Sequence, residues 1–497
     1  MRKKFLAGQI VIVALVTLFL VPGAAAGSAA CDNRVNNTFD KLLECVTLEG
    51  VREHQAALQA IADDNNGIRT SGTPGYDASA DYVIERMTAA GYNVTVQEFQ
   101  FQTFIVLTPS VLEQVSPLPA GPIANNIMAY SGSGDNTAPV TALAAPPADP
   151  TPGCEAADFA GFPVGNIALI RRGVCTFALK ATNAFNAGAA GVVIYNNAPG
   201  VLNGTLSATF TLNIPVTSVT QAVGDVLAAT PGLVLRLKTD TFRGIATTSN
   251  VFAETKTGDP NNVIMVGAHL DSVNAGPGIQ DNGSGSAAIL EIAEEMAKVK
   301  PRNMVRFAWW GAEESGLVGS TFYVNNLSPE DQGKITLYLN FDMIGSPNHV
   351  FFVYDGDDSD AVGAGPGPAG SAEIEEAFEA YYNAVGESFK GTDFSGRSDY
   401  GPFILAGIPS GGLFTGAEGI KTAAEVAIWG GTAGGQYDPC YHLACDTFDN
   451  VNLHALDVNS DAVAFATLQF AMNTENINGQ RGKGNFNPDR WGDLNIK

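Results

Sequence analysis

A glycine- and serine-rich stretch, GAHLDSVNAGPGIQDNGSG at residues 267–285, carries one imidazole and two carboxylates. These groups belong to His269, Asp271 and Asp281, in a chain that has only five histidines. Imidazole nitrogen and carboxylate oxygen together form a ligand set that suits zinc. Asp281 also precedes NGSG and a predicted helix, so capping of that helix is a competing role for its side chain.

Further polar groups follow apolar runs that predict buried strands. GAEESGL follows VRFAWW, NFDMIGS follows ITLYL, and YDPCYHLACDT comes later in the chain. Taken singly, each has an ordinary explanation as a turn, a cap or a solvated surface. Ligands bind at the carboxyl ends of parallel strands, so repeated polar groups at such ends favour one shared site. The motifs add these candidates: Glu313, Glu314, Asp342, Tyr441 and His442.

The elements that must position these residues alternate from about residue 245 to 475. NNVIMVGAHLDS, RNMVRFAWWGAEESG and ITLYLNFDMIGS each combine a strand with a loop, and GSAAILEIAEEMAKVK has a helical period. This alternation predicts an α/β fold with a mixed, mostly parallel sheet and helices on both faces. Residues 46–105 predict outer helices and an edge strand of the same core. The Gly- and Asn-rich residues 478–497 predict a flexible tail.

Between about residues 115 and 240 the chain becomes richer in Pro, Gly and Ala, and short β runs alternate with one predicted helix. GNIALIRRGVCTFALKATNAFNAGAAGVVIYNN resembles the protease-associated domain, a small β-rich module inserted into several secreted peptidases. The resemblance implies that residues 115–240 are such a domain. The flanking peptidase segments would then be 31–114 and 241–477, after a signal peptide at 1–30 and before the tail at 478–497.

The amino terminus predicts export from the cytoplasm. The basic start MRKK, an apolar run over about residues 5–21 and the small-residue stretch PGAAAGSAAC are typical of a signal peptide cut after Ala26 or Ala30. An uncleaved membrane anchor and a lipid-modified Cys31 are the alternatives, although GSAA before Cys31 lacks the usual Leu. We therefore expect a secreted protein that leaves the membrane once the signal is removed.

The six cysteines fall into three local couples, which agrees with an oxidising compartment. Six cysteines allow 15 pairings, of which nearest-neighbour pairing is the simplest. A zinc knot is the alternative, but no couple has the two-residue spacing with a second couple nearby. The couples are Cys31 with Cys45, Cys154 with Cys175, and Cys440 with Cys445.

The formal net charge is −24 and the sequence pI is about 4.5. Nucleic acid requires a basic surface, so this acidity excludes it as an expected partner. An anionic membrane surface is disfavoured for the same reason, and solubility explains the charge adequately.

The motifs HLDS, DNGSG, AEESGL, NFDMIG and CYHLACDT, in this order, resemble those of the secreted bacterial two-zinc aminopeptidases. The likeness extends through SGRSDYGPFILAGIPSGGLFTGAE and covers most of residues 245–460. It implies a zinc-exopeptidase fold, two Zn²⁺ per chain, peptide substrates with a free N-terminus and a monomeric protein. A structural Ca²⁺ stays open because of the acidity, although the sequence has no calcium-loop motif.

The resemblance assigns the five ligands residue by residue. His269 and Asp342 would hold one zinc ion, Glu314 and His442 would hold the other, and Asp281 would bridge both. Two zinc ions that act together need such a shared carboxylate.

It also assigns four residues around the ions. Asp271 would orient His269 through its ring N–H, and Arg397 would hold the substrate backbone. Glu313 would be the general base, and Tyr441 would donate to the oxyanion. Neighbouring side chains of an extended segment point in opposite directions, so Glu313 and Glu314 could serve different roles.

Relatives of this fold include glutaminyl cyclases, carboxypeptidases and receptors that have lost the metal ligands. The full ligand set argues against a cyclase or a receptor, and the scarcity of Arg near the motifs argues against a carboxypeptidase. The resemblance favours large apolar N-terminal residues, above all Leu, as the ones removed.

Overall fold

A computed structural model of the chain describes residues 29–198, 200, 202–363, 365–494 and 496. Residues 1–28, which include the basic start and apolar run of the predicted signal peptide, lie outside the described residues, so that prediction stays a prediction. Among the described residues, none of the helices is both long enough and apolar enough to cross a bilayer.

The strands, numbered in chain order, are β1 Asn93–Ser116, β2 Gly121–Pro122, β3 Asn126–Ile127, β4 Gly134–Ala142, β5 Ile167–Arg171, β6 Gly191–Tyr195, β7 Val216–Val219, β8 Val234–Glu254, β9 Asp259–His269, β10 Asn303–Trp310, β11 Ile335–Phe341, β12 Phe352–Tyr354, β13 Lys390–Thr392 and β14 Ser410–Phe414.

The α-helices, numbered likewise, are α1 Ala29–Asn33, α2 Phe39–Leu43, α3 Leu48–Asp64, α4 Pro74–Ala90, α5 Phe177–Asn186, α6 Gln221–Ala228, α7 Gly283–Met296, α8 Val318–Asn325, α9 Pro329–Gln332, α10 Ser371–Val385, α11 Tyr400–Leu405, α12 Ala423–Trp429, α13 Leu453–Met472 and α14 Glu475–Asn478. Short 3-10 helices span Ala156–Phe159, Gly484–Phe486 and Pro488–Asp493.

The carboxyl-terminal half of the chain builds a mixed sheet with a parallel centre. β9 lies parallel to β10 on one side and to β11 on the other, and β11 lies parallel to β14. Antiparallel pairs flank this centre, β8 with β10 and β12 with β14. The predicted mixed, mostly parallel sheet is therefore confirmed.

Alternation along the central strands sends apolar side chains to both faces of the sheet. On β9, Ile264 and Val266 join the core under α3, α4, α7, α10 and α13. Val263 and Met265 point the other way and pack with residues of α8 and α11. Both faces are therefore covered by helices, as predicted.

Strands β1 and β8 form one long antiparallel ribbon that belongs to both halves of the molecule. Their pairing runs from Asn93 opposite Glu254 to Ser116 opposite Val234. The predicted edge strand is thus present and continues beyond the 105 expected for that segment. The predicted boundaries near residues 115 and 240 fall inside these two strands and stay predictions.

The inserted region is a second small sheet. β4, β5, β6 and β7 lie parallel in that order, and β4 joins β8 of the ribbon. The strand, cysteine turn, helix and strand expected from the sequence are β5, α5 and β6. The expectation of one helix is wrong, because α6 follows β7, capped by the Thr220 side chain.

All three predicted cysteine pairs are bonded. Cys31 joins Cys45, Cys154 joins Cys175, and Cys440 joins Cys445. The zinc-knot alternative is thereby excluded, because no thiolate of these six residues remains to hold an ion.

The carboxyl-terminal segment packs on the body instead of forming the flexible tail that its composition predicts. Phe486 is buried against the main core, and its backbone oxygen accepts hydrogen bonds from Gln469 and Asn473 of the α13 end. Trp491 and Leu494 pack on the same core. A few apolar anchors are enough to dock a segment that is rich in Gly and Asn.

Candidate metal centre and active site

Three of the candidate segments leave the sheet at the same edge. β9 ends at His269, β10 ends three residues before Glu313, and β11 ends immediately before Asp342. These strands are parallel neighbours with β9 in the middle, so their carboxyl ends lie side by side. The strand-end rule therefore explains how residues far apart in sequence reach one place.

Asp281 lies between the two histidines. Its Oδ1 is 3.2 Å from His269 Nε2, and its Oδ2 is 3.2 Å from His442 Nε2. The helix N-cap is the neighbouring Asn282, whose side chain accepts from Gly285 N, so the capping role considered for Asp281 is wrong. The Asp281 carboxylate is thus free to face both imidazoles; the peptide bond after it is cis.

Each histidine also faces a second carboxylate. Asp342 Oδ1 lies 3.2 Å from His269 Nε2, and Glu314 Oε2 lies 3.1 Å from His442 Nε2. The side-chain ligand atoms of His269, Asp281 and Asp342 lie within 4.8 Å of one another, as do those of Asp281, Glu314 and His442. The structure thus brings all five predicted ligands together as two groups that share Asp281.

Glu313 and Glu314 do not point apart. Ala312 has a positive φ of 56°, and the backbone turns so that Gly316 N and Leu317 N both donate to Glu313 O. The expectation of an extended segment is therefore wrong. In this turn both carboxylates reach within 4.8 Å of the His269 ring nitrogen. Glu313 stands beside the ligand groups without belonging to either of the two that share Asp281.

Asp271 contacts His269 mainly through its backbone. His269 Nδ1 donates to the Asp271 carbonyl at 3.1 Å, whereas the Asp271 carboxylate is 3.6 Å away. That carboxylate instead accepts from Glu313 N at 3.2 Å. Asp271 therefore orients the imidazole, as predicted in outline, and also fixes the backbone at Glu313, which the sequence does not indicate.

Tyr441 and Arg397 lie at the open side of the cluster. The Tyr441 ring stacks on the His442 ring at 3.8 Å between centroids, and Arg397 Nη2 donates to Tyr441 OH at 3.3 Å. Arg397 is also paired with Glu418, Nη1 to Oε1, at 2.8 Å. Glu418 was not among the predicted residues, although it ends the GGLFTGAE segment that carries the family likeness.

Asp446 is a second residue that sequence reasoning missed. It follows the loop closed by the Cys440–Cys445 disulfide, which carries Tyr441 and His442. Its buried carboxylate accepts from Gln280 N at 2.8 Å and from Asp281 N at 3.0 Å. Asp446 therefore locks the disulfide loop to the segment that presents Asp281. A carboxylate in the quoted CYHLACDT motif was the available signal.

Ser398 plays a comparable part on the other side of the site. Its hydroxyl donates to Asp342 Oδ2 at 2.6 Å and accepts from Asn340 Nδ2 at 2.9 Å. Asp342 Oδ1 is left to face His269. Ser398 stands next to Arg397 in SGRSD, so one loop positions both the guanidinium and the far ligand.

The field of the cluster strongly favours positive charge. Burial by itself disfavours a charged imidazole, yet Glu314 and Asp281 raise the pKa of His442 to about 11. Burial likewise opposes protonation of His269, but Asp342 and Glu313 raise its pKa well above the usual value. Burial raises the pKa of the Glu313 carboxyl well above its usual range.

The residues fit a pair of divalent cations. Four buried or nearly buried carboxylates converge with two imidazoles, and Glu314 Oε1 has no hydrogen-bond partner among the described residues. Mixed nitrogen and oxygen donors of this kind suit zinc. The arrangement could hold a water and a substrate carbonyl at one side, with Glu313 within reach as a base.

Comparisons with known proteins agree with this geometry. The sequence model of peptidase family M28 matches residues 250–467, and that of the PA domain matches residues 137–227. An aminopeptidase of Pseudomonas aeruginosa is 48% identical over 92% of this chain and 87% of its own length. The probable lipoprotein aminopeptidase LpqL of Mycobacterium tuberculosis is 41% identical over 96% and 97%. Leucine aminopeptidase 2 of Trichophyton rubrum is 40% identical over 91% and 90%.

Solved structures show the same architecture. An aminopeptidase from Aneurinibacillus sp. strain AM-1 superposes with a TM-score of 0.64 and 28% identity, over 87% of this chain and 96% of that one. BSAP, a zinc aminopeptidase from Bacillus subtilis, gives a TM-score of 0.65 and 26% identity, over 84% and 94%.

Proposed function

The chain belongs to peptidase family M28, as a zinc-dependent aminopeptidase with an inserted PA domain, and from this premise we propose that it works through two zinc ions held by the Asp281 cluster. The observation that carries the proposal is the placement of Asp281. One of its oxygens faces His269 and the other faces His442, each at 3.2 Å. Asp342 and Glu314 complete the two groups.

The residues around the ions divide the chemistry among them. When bound, zinc supplies Lewis-acid activation of a water molecule and of the scissile carbonyl. Glu313 takes the proton from the attacking water and passes it to the leaving amine. Tyr441 donates its hydroxyl hydrogen to the oxyanion, and the tautomer of His269 is fixed by the Asp271 carbonyl.

The charges favour a free N-terminus over a free C-terminus. A carboxypeptidase needs an unopposed cation for the substrate carboxylate, whereas Arg397 is already paired with Glu418 at 2.8 Å. The excess of carboxylates in the cluster instead suits the positive α-amine of a peptide. Arg397 then serves to hold the substrate backbone. The presence of every candidate ligand and of Glu313 also disfavours a receptor without catalysis.

The substrate preference, location and assembly belong to the same proposal. We propose large apolar N-terminal residues, Leu above all, in line with relatives named leucine aminopeptidase. We propose a secreted monomer, since Cys31 is bonded to Cys45 and so has no thiol for a lipid, although one relative is named a lipoprotein. A structural Ca²⁺, if one binds, would occupy a site separate from the two zinc ions.

Initial rates on Leu-p-nitroanilide and on its N-acetylated form test the proposal. We expect cleavage of the free-amine substrate alone, lost on chelation and restored by zinc. Cleavage of the acetylated form, or activity that survives removal of all metal, would contradict it. The zinc content of His442→Ala tests the second ion: we expect one zinc ion fewer than in the parent chain, and an unchanged count would remove His442 from the ligands.

A further inference from the structure

A second group of one histidine and two carboxylates lies away from the active site, between three helices. We propose that His54 of α3, with Glu291 and Glu294 of α7, forms a further zinc site. Their ligand atoms lie within 4.8 Å of one another, as in the catalytic groups. Glu291 is eight residues beyond Gly283, about 12 Å of helix rise from the active-site end of α7. The ion would bind α3 to α7.

The His54 imidazole is placed as a ligand would be. Its side chain is 1% exposed, and Nε2 has no hydrogen-bond partner among the described residues. That nitrogen faces Glu291 Oε2 at 3.7 Å and Glu294 Oε2 at 4.0 Å. The other nitrogen, Nδ1, is held by Tyr82 OH at 2.8 Å. Metal-binding histidines are commonly fixed in this way through the nitrogen that does not touch the metal.

Glu291 is pressed towards the same point. It is 7% exposed, and a Cβ added at Gly50 of α3 would overlap its carboxylate. Thr47 N, at the start of α3, donates to its Oε1 at 3.4 Å, which leaves Oε2 to face His54. Glycine at position 50 is therefore what lets a buried carboxylate lie against this helix.

The surrounding charges leave room for a divalent cation. Arg86 holds both oxygens of Glu294, at 2.5 and 2.6 Å, and also reaches Glu53 at 3.1 Å. With Glu291, the cluster holds three carboxylates and one guanidinium, a formal excess of two negative charges apart from the imidazole. A carboxylate oxygen has a second lone pair, so Glu294 can serve Arg86 and an ion together.

Imidazole with two carboxylates selects zinc over calcium, which prefers oxygen alone. Zinc holds such ligands at about 2.0–2.2 Å, so their atoms lie roughly 3.4 Å apart around it. The two separations from His54 Nε2, 3.7 and 4.0 Å, exceed that by about 0.3 and 0.6 Å, which side-chain torsions can close. Without an ion, His54 would simply be packed beside the two glutamates.

Zinc content by mass spectrometry, after zinc loading and desalting of the full chain, distinguishes a zinc site from contacts that hold no ion. We expect the parent chain to hold one ion more than His54→Gln and one more than Glu291→Gln. Both near-isosteric variants should keep kcat/KM within about twofold, because neither residue lies in the catalytic cluster. His454→Gln, at an exposed histidine paired with Glu387, is the matched control and should keep the parent count.

An equal zinc count in the parent and in both variants would overturn the site, whatever that count is. The inference is independent of the two-zinc proposal. That proposal is tested separately, by whether His442→Ala holds one zinc ion fewer than the parent chain. Zinc loading should also raise the Tm of the parent more than that of His54→Gln, since only the parent gains an ion at this site. An equal rise with calcium in place of zinc would overturn the choice of metal.

Discussion

Helix α7 lies between two clusters of histidine and carboxylate side chains, one near each end, and the clusters differ in what surrounds them. At its start, Asp281 stands two residues before the helix and faces His269 and His442. Towards its other end, Glu291 and Glu294 face His54. The first group lies at strand ends, where loops bring in Glu313, Tyr441 and Arg397. The second group lies between helices, and no loop among the described residues brings further polar side chains of this kind to it.

The comparison shows that binding a metal ion and using it in catalysis require different surroundings. His442 has a side chain that is 34% exposed, on a loop closed by a disulfide, so substrate can approach it. His54 is sealed, so an ion there could only join helices. The same donor types therefore give a catalytic site at an open sheet edge and a structural one within a helix layer.

Removal of the base should have the largest effect, and it tests the contrast directly. Glu313→Gln keeps the size of the side chain but cannot accept a proton, so we expect kcat to fall about 10²–10⁴-fold with the zinc content unchanged. Glu291→Gln, the matched change at the other group, should leave kcat as it is. Normal turnover by Glu313→Gln would assign the base elsewhere.

Loss of the link between the disulfide loop and Asp281 should have the next largest effect. Asp446→Ala leaves two buried N–H groups, of Gln280 and Asp281, without their acceptor. Residues that orient ligands commonly change metal affinity or activity about 10–100-fold, and we expect that range for kcat/KM. Asp449→Ala, at an exposed carboxylate three residues on, is the control. Equal kinetics in both variants would show that Asp446 does not position the ligand.

A third buried histidine, His349, has a lowered pKa, in contrast to the raised pKa of His269. Burial, then Lys421 and His454, lower the pKa of His349 to about 4. Between about pH 6.5 and 4 the unfolded chain protonates this residue and the folded chain does not, so stability falls as pH falls. At pH 5 the loss is about 2 kcal/mol. The Tm of His349→Gln should therefore drop less than that of the parent between pH 7 and 5, and parallel drops would contradict this.

Ser398→Ala should have the smallest effect of the four. It removes one charge-assisted hydrogen bond to Asp342 and the acceptor of Asn340 Nδ2, and leaves Asp342 Oδ1 facing His269. One such bond contributes about 1.5 kcal/mol, so we expect kcat/KM to fall by roughly tenfold or less. Ser395→Ala, nearby in the same loop, serves as the control. A fall as large as that of Glu313→Gln would give the hydroxyl a direct part in the reaction.

The sequence predicted the catalytic group better than its supports for a physical reason. His269, Asp342 and the Glu313 pair follow apolar strands, and parallel strands deliver their ends to one edge without further information. Asp446 and Ser398 act through hydrogen bonds that depend on how loops fold back, which no periodicity encodes.

The helix-layer group was beyond sequence reasoning altogether. His54 and Glu291 are separated by more than two hundred residues, and each looks like an ordinary member of an amphipathic helix. Only the packing of α3 on α7, with a glycine at position 50, brings them together. The packing of the tail was missed for the converse reason, since a composition rich in Gly and Asn conceals a few anchoring residues such as Phe486.

The pairing of Ser116 with Val234 gives the ribbon a consequence for engineering. The chain leaves the ribbon at residue 117 and returns at 233, at directly opposed positions, so the stretch between them, which includes the PA match at 137–227, occupies the place of a hairpin turn. Replacement of that stretch by a two-residue turn would preserve the register of every remaining strand. The PA domain therefore stands where a hairpin turn would otherwise join β1 to β8.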